Sequence, residues 1–182
     1  MDPIYFSLTR LQYLNEEKES PTILRVRLTR YKGYRIVLSD GTVINKNDLL
    51  IKIHLHNVKI LRRTFGIKSE IKKAIITYKL VKQSLPYLAT YVQEHVNNEE
   101  IKGIIGITVL NRGTEKLGFE KHPIKNRFYK KIKQLIQYPI YLLSHSTTSS
   151  KNKPYPVYVF MSKEVLLKKY SNYTNRVEGK VE

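Results

Sequence analysis

Two histidines, His54 and His56, lie two residues apart within a largely aliphatic run. Side chains at this spacing share one face of a β-strand, so both imidazoles would point the same way. Such a pair either presents two metal ligands or titrates near neutral pH without a metal. Because basic residues surround the pair and a metal site needs at least a third ligand, the sequence predicts no metal site and no cofactor. The candidates for a third ligand are Asp48, Glu115, Glu120 and His122.

The strands that carry these histidines are also rich in cations. Residues 23–31 alternate between aliphatic and polar side chains, which places Arg25 and Arg27 on one face. Residues 49–56 place Lys52 on the face of the two histidines. If the two strands pair in an antiparallel sheet, one face is apolar and the other is basic. The residues of the apolar face that are predicted to be buried are Leu24, Val26, Leu28, Ile51, Ile53 and Leu55. This predicted basic face consists of Arg25, Arg27, Lys52, His54 and His56, and it indicates an anion-binding site.

Arg112 is a sixth candidate anion ligand. It precedes Gly113 and Thr114 in a turn after an apolar strand, where backbone N–H groups can meet a phosphate at the start of a helix. Neither the P-loop nor the dinucleotide-binding pattern is present. The order of strand, turn and helix has a weak local likeness to acyl-CoA N-acetyltransferase domains. A transferase with a site near His54, His56 and Arg112 is therefore the alternative, although no residue set names a reaction or a catalytic residue.

Two carboxylates, Asp40 and Asp48, flank the run Thr42–Asn45 and are candidates for acid–base chemistry. Asp40 precedes Gly41 and Asp48 follows Asn47, positions at which Asp side chains usually bond their own backbone. The sequence favours this turn role over catalysis, and the protein is predicted to be a binding module more readily than an enzyme.

The composition favours an anionic partner. The 182 residues contain 33 Lys and Arg against 15 Asp and Glu, a net charge of +18. This charge fits an anionic polymer, a membrane surface or nucleic acid, although no nucleic-acid-binding signature is present. The absence of cysteine excludes disulfides and thiolate metal sites. With no signal-peptide pattern at the N-terminus and no apolar run long enough to span a membrane, a cytoplasmic protein is predicted, with peripheral membrane association as a further option. The oligomeric state is not predicted.

The order of the predicted strands and helices that position these residues indicates an α+β fold in a single domain of residues 1–182. A small N-terminal antiparallel sheet, with a turn at Asp40-Gly41, packs with several amphipathic helices. Residues 101–110 form a continuous apolar run, which is typical of a buried central strand. A mobile loop is predicted over about residues 144–154, and a polar tail from about residue 171.

Five helices are predicted after the first sheet. The first is a short one from Val58 to Thr64, and the third, from Tyr87 to His95, follows the long helix. The long helix after Ser69 has an apolar stripe at three- and four-residue spacing, and Pro86 should end or kink it. A further helix is predicted from Arg127 to about Leu143, and Ser162 should cap the last one. The predicted stripe of the long helix is Ile71, Ile75, Tyr78, Val81 and Leu85.

Five runs carry a resemblance to a known family; they are LRVRLTRYKG, LSDGTVINKNDLLIKIHLHN, EIKGIIGITVLNRGTEKLGFE, NRFYKKIKQLIQYPIYLLS and FMSKEVLLKKY. On these runs the chain resembles the YkoP-like family of endospore-forming bacteria over nearly its whole length. Members occur alone or, in relatives, as a domain that follows a polysaccharide deacetylase domain. The resemblance therefore implies an association with cell-envelope polysaccharide metabolism. It transfers no catalytic residue, and the chain is too short to hold a deacetylase domain of its own.

Taken together, the resemblance and the charge predict a non-catalytic accessory module. Its expected ligand is an anionic envelope polymer or a precursor of one, bound through the basic face. Nucleic-acid binding is the alternative that rests on charge alone.

Overall fold

The computed structural model describes residues 11–14, 22–108, 113–124 and 156–171. Within these residues the strands are β1 (Gln12–Tyr13), β2 (Leu24–Arg30), β3 (Ile36–Val37), β4 (Val43–Ile44), β5 (Leu49–Leu55), β6 (Ile101–Thr108), β7 (Glu120–Pro123) and β8 (Val157–Ser162). The α-helices are α1 (Asn57–Thr64), α2 (Glu70–Glu94) and α3 (Lys163–Tyr170), with short 3₁₀ turns at Asn98–Glu100 and Thr114–Leu117. The predicted α+β class is confirmed.

The main sheet has six strands in the order β1-β2-β5-β6-β8-β7. The predicted antiparallel pairing of β2 with β5 is confirmed. The sheet is larger than the predicted N-terminal one, because β5 also pairs with β6 in parallel and β6 continues the sheet to β8 and β7. A parallel pair needs a long crossover connection, and α1 and α2 provide it between β5 and β6.

One face of the sheet carries the main core. Leu24, Val26 and Ile51 are buried there, as predicted, together with Ile104 of the central strand β6. Three further predicted core residues are only partly buried at the edge of the cluster; these are Leu28, Ile53 and Leu55. Helices α2 and α3 cover this face through Leu85, Leu88, Ala89, Val92 and Leu166.

The opposite face is covered over part of its area by the β3–β4 hairpin. Its turn at Asp40-Gly41 closes as predicted, since the Leu38 N–H donates to the Thr42 carbonyl at 2.9 Å and Gly41 adopts φ 87°. The hairpin and its flanks pack over buried side chains of three strands and form a second, smaller core. That core consists of Tyr31, Leu38, Ile44, Leu50, Ile105 and Phe160.

Helix α2 differs from the prediction in two respects. Pro86 does not end it, because the helix runs unbroken from Glu70 to Glu94. Buried side chains on both sides of Pro86, such as Leu85 and Leu88, hold it against the sheet and offset the missing hydrogen bond. The predicted stripe is wrong at its start, where Ile71 and Ile75 are exposed, because the apolar side chains of α2 pack against the main core only from Tyr78 onward.

Glycine allows close approach of the central strands at one position. A Cβ on Gly103 would overlap the backbone carbonyl oxygen of Met161 on the neighbouring strand β8. Glycine at this position therefore permits close contact between the backbones of β6 and β8. Gly106 instead faces side chains, with Val159 Cγ2 and Ile53 Cγ1 3.0 Å and 3.2 Å from where its Cβ would be.

Several predicted features lie outside the described residues. These are the first ten residues, Arg112, the predicted helix from Arg127 to Leu143, the loop at 144–154 and the tail beyond residue 171. The single-domain organisation of residues 1–182 stays a prediction. In the described ranges, no helix combines the length and apolar character needed to cross a membrane.

Candidate functional site

The register of β2 and β5 assembles four of the predicted anion ligands. Arg25 lies directly opposite His54, and Arg27 lies directly opposite Lys52. Opposed residues in an antiparallel pair point to the same side of the sheet, with Cβ atoms about 4.5–5.5 Å apart. All four side chains are partly buried, so each keeps some contact with solvent. The basic face therefore exists as one surface over two neighbouring strands.

This surface borders the second core. Leu50 lies two residues before Lys52 on the same face of β5, and it is fully buried in the second core. On β6, Ile105 pairs with Lys52 and belongs to the same buried cluster. The basic face thus occupies the part of the sheet between the hairpin core and the β5–α1 junction. A low-dielectric apolar border strengthens the field of the charges beside it.

His56 contacts the guanidinium of Arg25. The Arg25 Nη2 donates to His56 Nε2 over 2.6 Å, since arginine has no acceptor atom. His56 is also the N-cap of α1, where its Nδ1 lies 3.4 Å from the Lys59 N–H. A neutral imidazole has only one acceptor nitrogen, so the shorter contact with Arg25 takes precedence over the long cap contact. His56 therefore orients Arg25.

The surroundings of His56 oppose its protonation. Burial lowers the pKa of His56, and the positive charges of Arg25, Lys59 and Arg62 lower it further. Protonation would also turn an N–H toward a guanidinium that can only donate. This changes the expectation for the pair. His56 does not gain its charge at the ordinary histidine pKa, so it does not act as a titrating cation near neutral pH.

The cationic surface continues from the sheet into α1. The Lys59 Nζ donates to the Thr22 carbonyl at 3.1 Å, which holds this lysine beside the end of β5. Burial lowers the pKa of Lys59, and Arg25 and Arg63 lower it further. Repulsion among these cations therefore reaches from Arg25 to the first helix, and an anion bound near them would relieve it.

The two candidate catalytic carboxylates have the turn roles that the sequence favours. The Thr42 N–H donates to Asp40 Oδ1 at 2.9 Å, and the Asn45 N–H donates to Asp48 Oδ2 at 2.8 Å. Asp40 also accepts from the Ser162 hydroxyl, which in turn caps α3 by accepting from a backbone N–H three residues on. These hydrogen bonds lower the pKa of Asp40 even though burial raises it. Both carboxylates are structural parts of turns.

The candidates for a third metal ligand do not gather around the histidine pair. Glu120 accepts from the Ser39 N–H at 2.9 Å, and Glu115 forms an ion pair with Lys121. His122 lies on β7, three strands from β5, which corresponds to about 14 Å across the sheet. In the part of the chain that the structure describes, no three His, Asp or Glu side chains are grouped to hold a metal.

Two further residues lie on the same side of the sheet as the basic face: Tyr158, which the sequence analysis missed, and His122, which it considered only as a metal ligand. His122 pairs with Tyr158, and Tyr158 also pairs with Ile107 of the central strand. The rings of Tyr158 and His122 pack on Phe160, with centroids 5.8 Å and 5.5 Å away. The alternation of side chains in β8 could have predicted the position of Tyr158. Tyr158 and Phe160 are two residues apart and so share a face, and Phe160 belongs to the hairpin core.

The remaining predicted ligand, Arg112, lies outside the described residues, so the structure does not place it relative to the basic face. The turn that follows it is described. Gly113 adopts φ 81° and begins the 3₁₀ turn Thr114–Leu117, as the sequence predicts.

Comparisons with known proteins identify relatives over most of the chain. The model of the YkoP domain matches residues 1–170. The chain is 47% identical over 170 residues to the "Uncharacterized protein YkoP" of Bacillus subtilis (strain 168), covering 93% of this chain and 92% of that protein. A search of the solved structures finds no match. The chain therefore belongs to the YkoP domain family.

Proposed function

We propose that the protein is a non-catalytic accessory module that binds an anionic cell-envelope polymer, or a precursor of one, through the basic face. The observation that carries the proposal is the register of β2 and β5, which sets Arg27 directly opposite Lys52. Like charges opposed across a strand pair destabilise the sheet. A bound phosphate or carboxylate between them would convert this repulsion into attraction.

Four ligand contacts and one positioning role are proposed for the residues on this face. Arg27, Lys52 and His54 meet the anion from neighbouring strands, and Arg25 presents its guanidinium beside them. His56 holds Arg25 through the 2.6 Å contact and stays neutral. Arg112 stays a candidate from outside the described residues.

The link to envelope polysaccharide comes from the family resemblance, in which related domains follow polysaccharide deacetylases. A regularly charged polymer suits a face of several cations, because each neutralised charge releases counterions and adds to affinity. The assignment to binding instead of catalysis is supported by the carboxylates. Four carboxylates have partners that lie away from the histidines; these are Asp40, Asp48, Glu115 and Glu120.

The test compares a double variant, Arg27→Gln with Lys52→Gln, with a charge-matched control, Lys102→Gln with Lys168→Gln. Both control lysines are exposed; Lys102 lies at the start of β6, beside the Leu49 end of β5 and not beside Lys52, and Lys168 lies on α3. Binding to teichoic acid, peptidoglycan fragments and duplex DNA is measured across a salt series by fluorescence anisotropy.

The first variant should lose affinity for an envelope polymer, and its salt slope should fall by about one unit per removed cation. The control should keep most of both. Equal losses in the two variants would mean that binding follows net charge and that the basic face is not a site. A selective loss for DNA alone would replace the envelope polymer with nucleic acid as the ligand.

A further inference from the structure

The connection between α1 and α2 exposes large apolar side chains. Phe65, which follows the last turn of α1, is 90% exposed, and Ile71 in the first turn of α2 is 74% exposed. Val58 on α1 and Ile75 on α2 are also exposed. Single exposed apolar residues are ordinary on protein surfaces, but four within eighteen residues of one helical hairpin are a concentration that marks interaction sites. We name these four residues the exposed tip.

The exposure follows from the packing of the two helices. On α1, Ile60 and Thr64 are one turn apart and buried, which leaves Val58 and Arg62 on the outer side. On α2 the apolar side chains that pack against the main core begin with the partly buried Tyr78, and the fully buried ones begin at Leu85. The first turns of α2 therefore extend past the core, and three residues of the exposed tip, Phe65, Ile71 and Ile75, lie at that end.

The exposed tip is surrounded by positive charge. Residues 58–75 contain six Lys or Arg and one Glu. Arg62, Arg63 and Lys72 are exposed, and they alternate along the chain with the apolar residues of the tip. Repulsion from this charge reaches the sheet, since Arg62 contributes to the lowered pKa of His56. The segment thus combines apolar insertion groups with a cationic rim.

We infer that the exposed tip docks on the surface of an anionic lipid bilayer. The rim cations would contact lipid phosphates, and Phe65 and Ile71 would enter the boundary between headgroups and acyl chains. Nucleic acid would neutralise the cations, but it offers no hydrocarbon phase for the exposed side chains of Phe65 and Ile71. The exposure and the charge together therefore favour a lipid surface. This membrane contact is separate from polymer binding by the basic face.

The first experiment measures flotation of the full chain with vesicles. Vesicles of phosphatidylcholine alone are compared with vesicles that also contain phosphatidylglycerol. Binding should require the anionic lipid and weaken as salt is raised. The double variant Phe65→Ser with Ile71→Ser should lose at least about tenfold in partitioning, because each removed side chain no longer transfers to an apolar phase.

Val96 offers a matched control for the apolar substitutions. It is 95% exposed and follows the other end of α2, roughly 37 Å along the helix from the exposed tip. Val96→Ser should bind vesicles as the wild type does. All three positions are exposed, so circular dichroism and thermal unfolding should be unchanged in every variant.

A second readout uses the absence of tryptophan from the natural sequence. Phe65→Trp introduces a single reporter at the exposed tip, and Val96→Trp introduces one at the far end of α2. Only the reporter at residue 65 should shift its emission to shorter wavelength when anionic vesicles are added.

Two outcomes would overturn the inference. One is the failure of either substitution at residue 65 to show insertion: vesicle binding survives Phe65→Ser with Ile71→Ser, or the emission of the tryptophan at residue 65 does not shift. The other is loss of duplex DNA binding in the same variant without any vesicle binding, which would assign the exposed tip to nucleic acid. The variant Arg27→Gln with Lys52→Gln should keep most of its vesicle binding, so failure of the basic-face proposal is distinguishable from failure of this one.

Discussion

Replacing Lys52 by glutamate should change stability and polymer binding in opposite directions. Arg27 and Lys52 are directly opposed in the β2–β5 pair, and both are partly exposed. Lys52→Glu changes a like-charge pair into an opposite-charge pair at the same positions. The same change removes one cation of the basic face and adds an anion to it, so binding of an anionic polymer should fall.

The expected gain in stability follows from the energies of cross-strand pairs. An opposite-charge pair contributes about 0.2–1 kcal/mol, and a like-charge pair costs a similar amount. The full change is therefore about 0.4–2 kcal/mol, and screening at this partly exposed position reduces it to about 0.2–1 kcal/mol. For a chain of this size, that corresponds to an increase of about 0.5–4 °C in melting temperature.

Lys102→Glu is the control for a general effect of charge. It makes the same substitution at an exposed position on β6 and lowers the net charge of +18 by the same two units. Urea unfolding and calorimetry at low and high salt compare the two variants. Lys52→Glu should be the more stable one at low salt, and the difference should shrink at high salt. Equal stabilities, or a difference that does not depend on salt, would refute the like-charge reasoning.

The remaining predictions concern a buried hydroxyl, a histidine and a glycine. Ser84→Ala should cost about 1–3 kcal/mol in urea unfolding, because the buried Ile23 N–H donates to the Ser84 hydroxyl at 3.0 Å and would lose its acceptor; a loss below about 0.5 kcal/mol would contradict this. Burial and neighbouring cations lower the pKa of His56 in the folded protein, whereas the unfolded-state pKa is about 6.5. The stability that depends on neutral His56 is therefore fully present above the unfolded-state pKa. It is lost as pH falls through the lower folded-state pKa. The wild type should therefore lose unfolding free energy relative to His56→Asn across that interval, and parallel pH profiles would show that His56 is unperturbed. Gly103→Ala should lower the melting temperature, because the new Cβ overlaps the Met161 carbonyl oxygen, and an unchanged value would show that β6 and β8 can separate locally.

The faces of the first two long strands were predictable because strand alternation depends only on local geometry. Once β2 and β5 are strands, Arg25 and Arg27 share a side whatever the rest of the chain does. The turn at Asp40-Gly41 was predictable for the same reason, since glycine supplies a positive φ within the hairpin itself.

Features that depend on where elements meet were not predictable in this way. The periodicity of α2 indicates an apolar stripe but not where the sheet ends below it, so Ile71 and Leu85 look equivalent in sequence. The parallel pairing of β5 with β6 depends on the path of α1 and α2 across the sheet. His122 and Tyr158 come from strands distant in the chain, and only the order β6-β8-β7 brings them to the side of the basic face.

His56 connects the two surfaces proposed for binding. It lies at the junction of β5 and α1, where one nitrogen accepts from Arg25 of the basic face and the other lies beside the first turn of α1. Arg62, on the outer side of α1, acts on the same imidazole through its charge. An anion bound beside Arg25 or Arg62 would offset a positive charge that now opposes protonation of His56. Occupation of either surface should therefore raise the pKa of His56 toward its ordinary value, and histidine NMR titration with polymer or anionic vesicles measures this coupling directly.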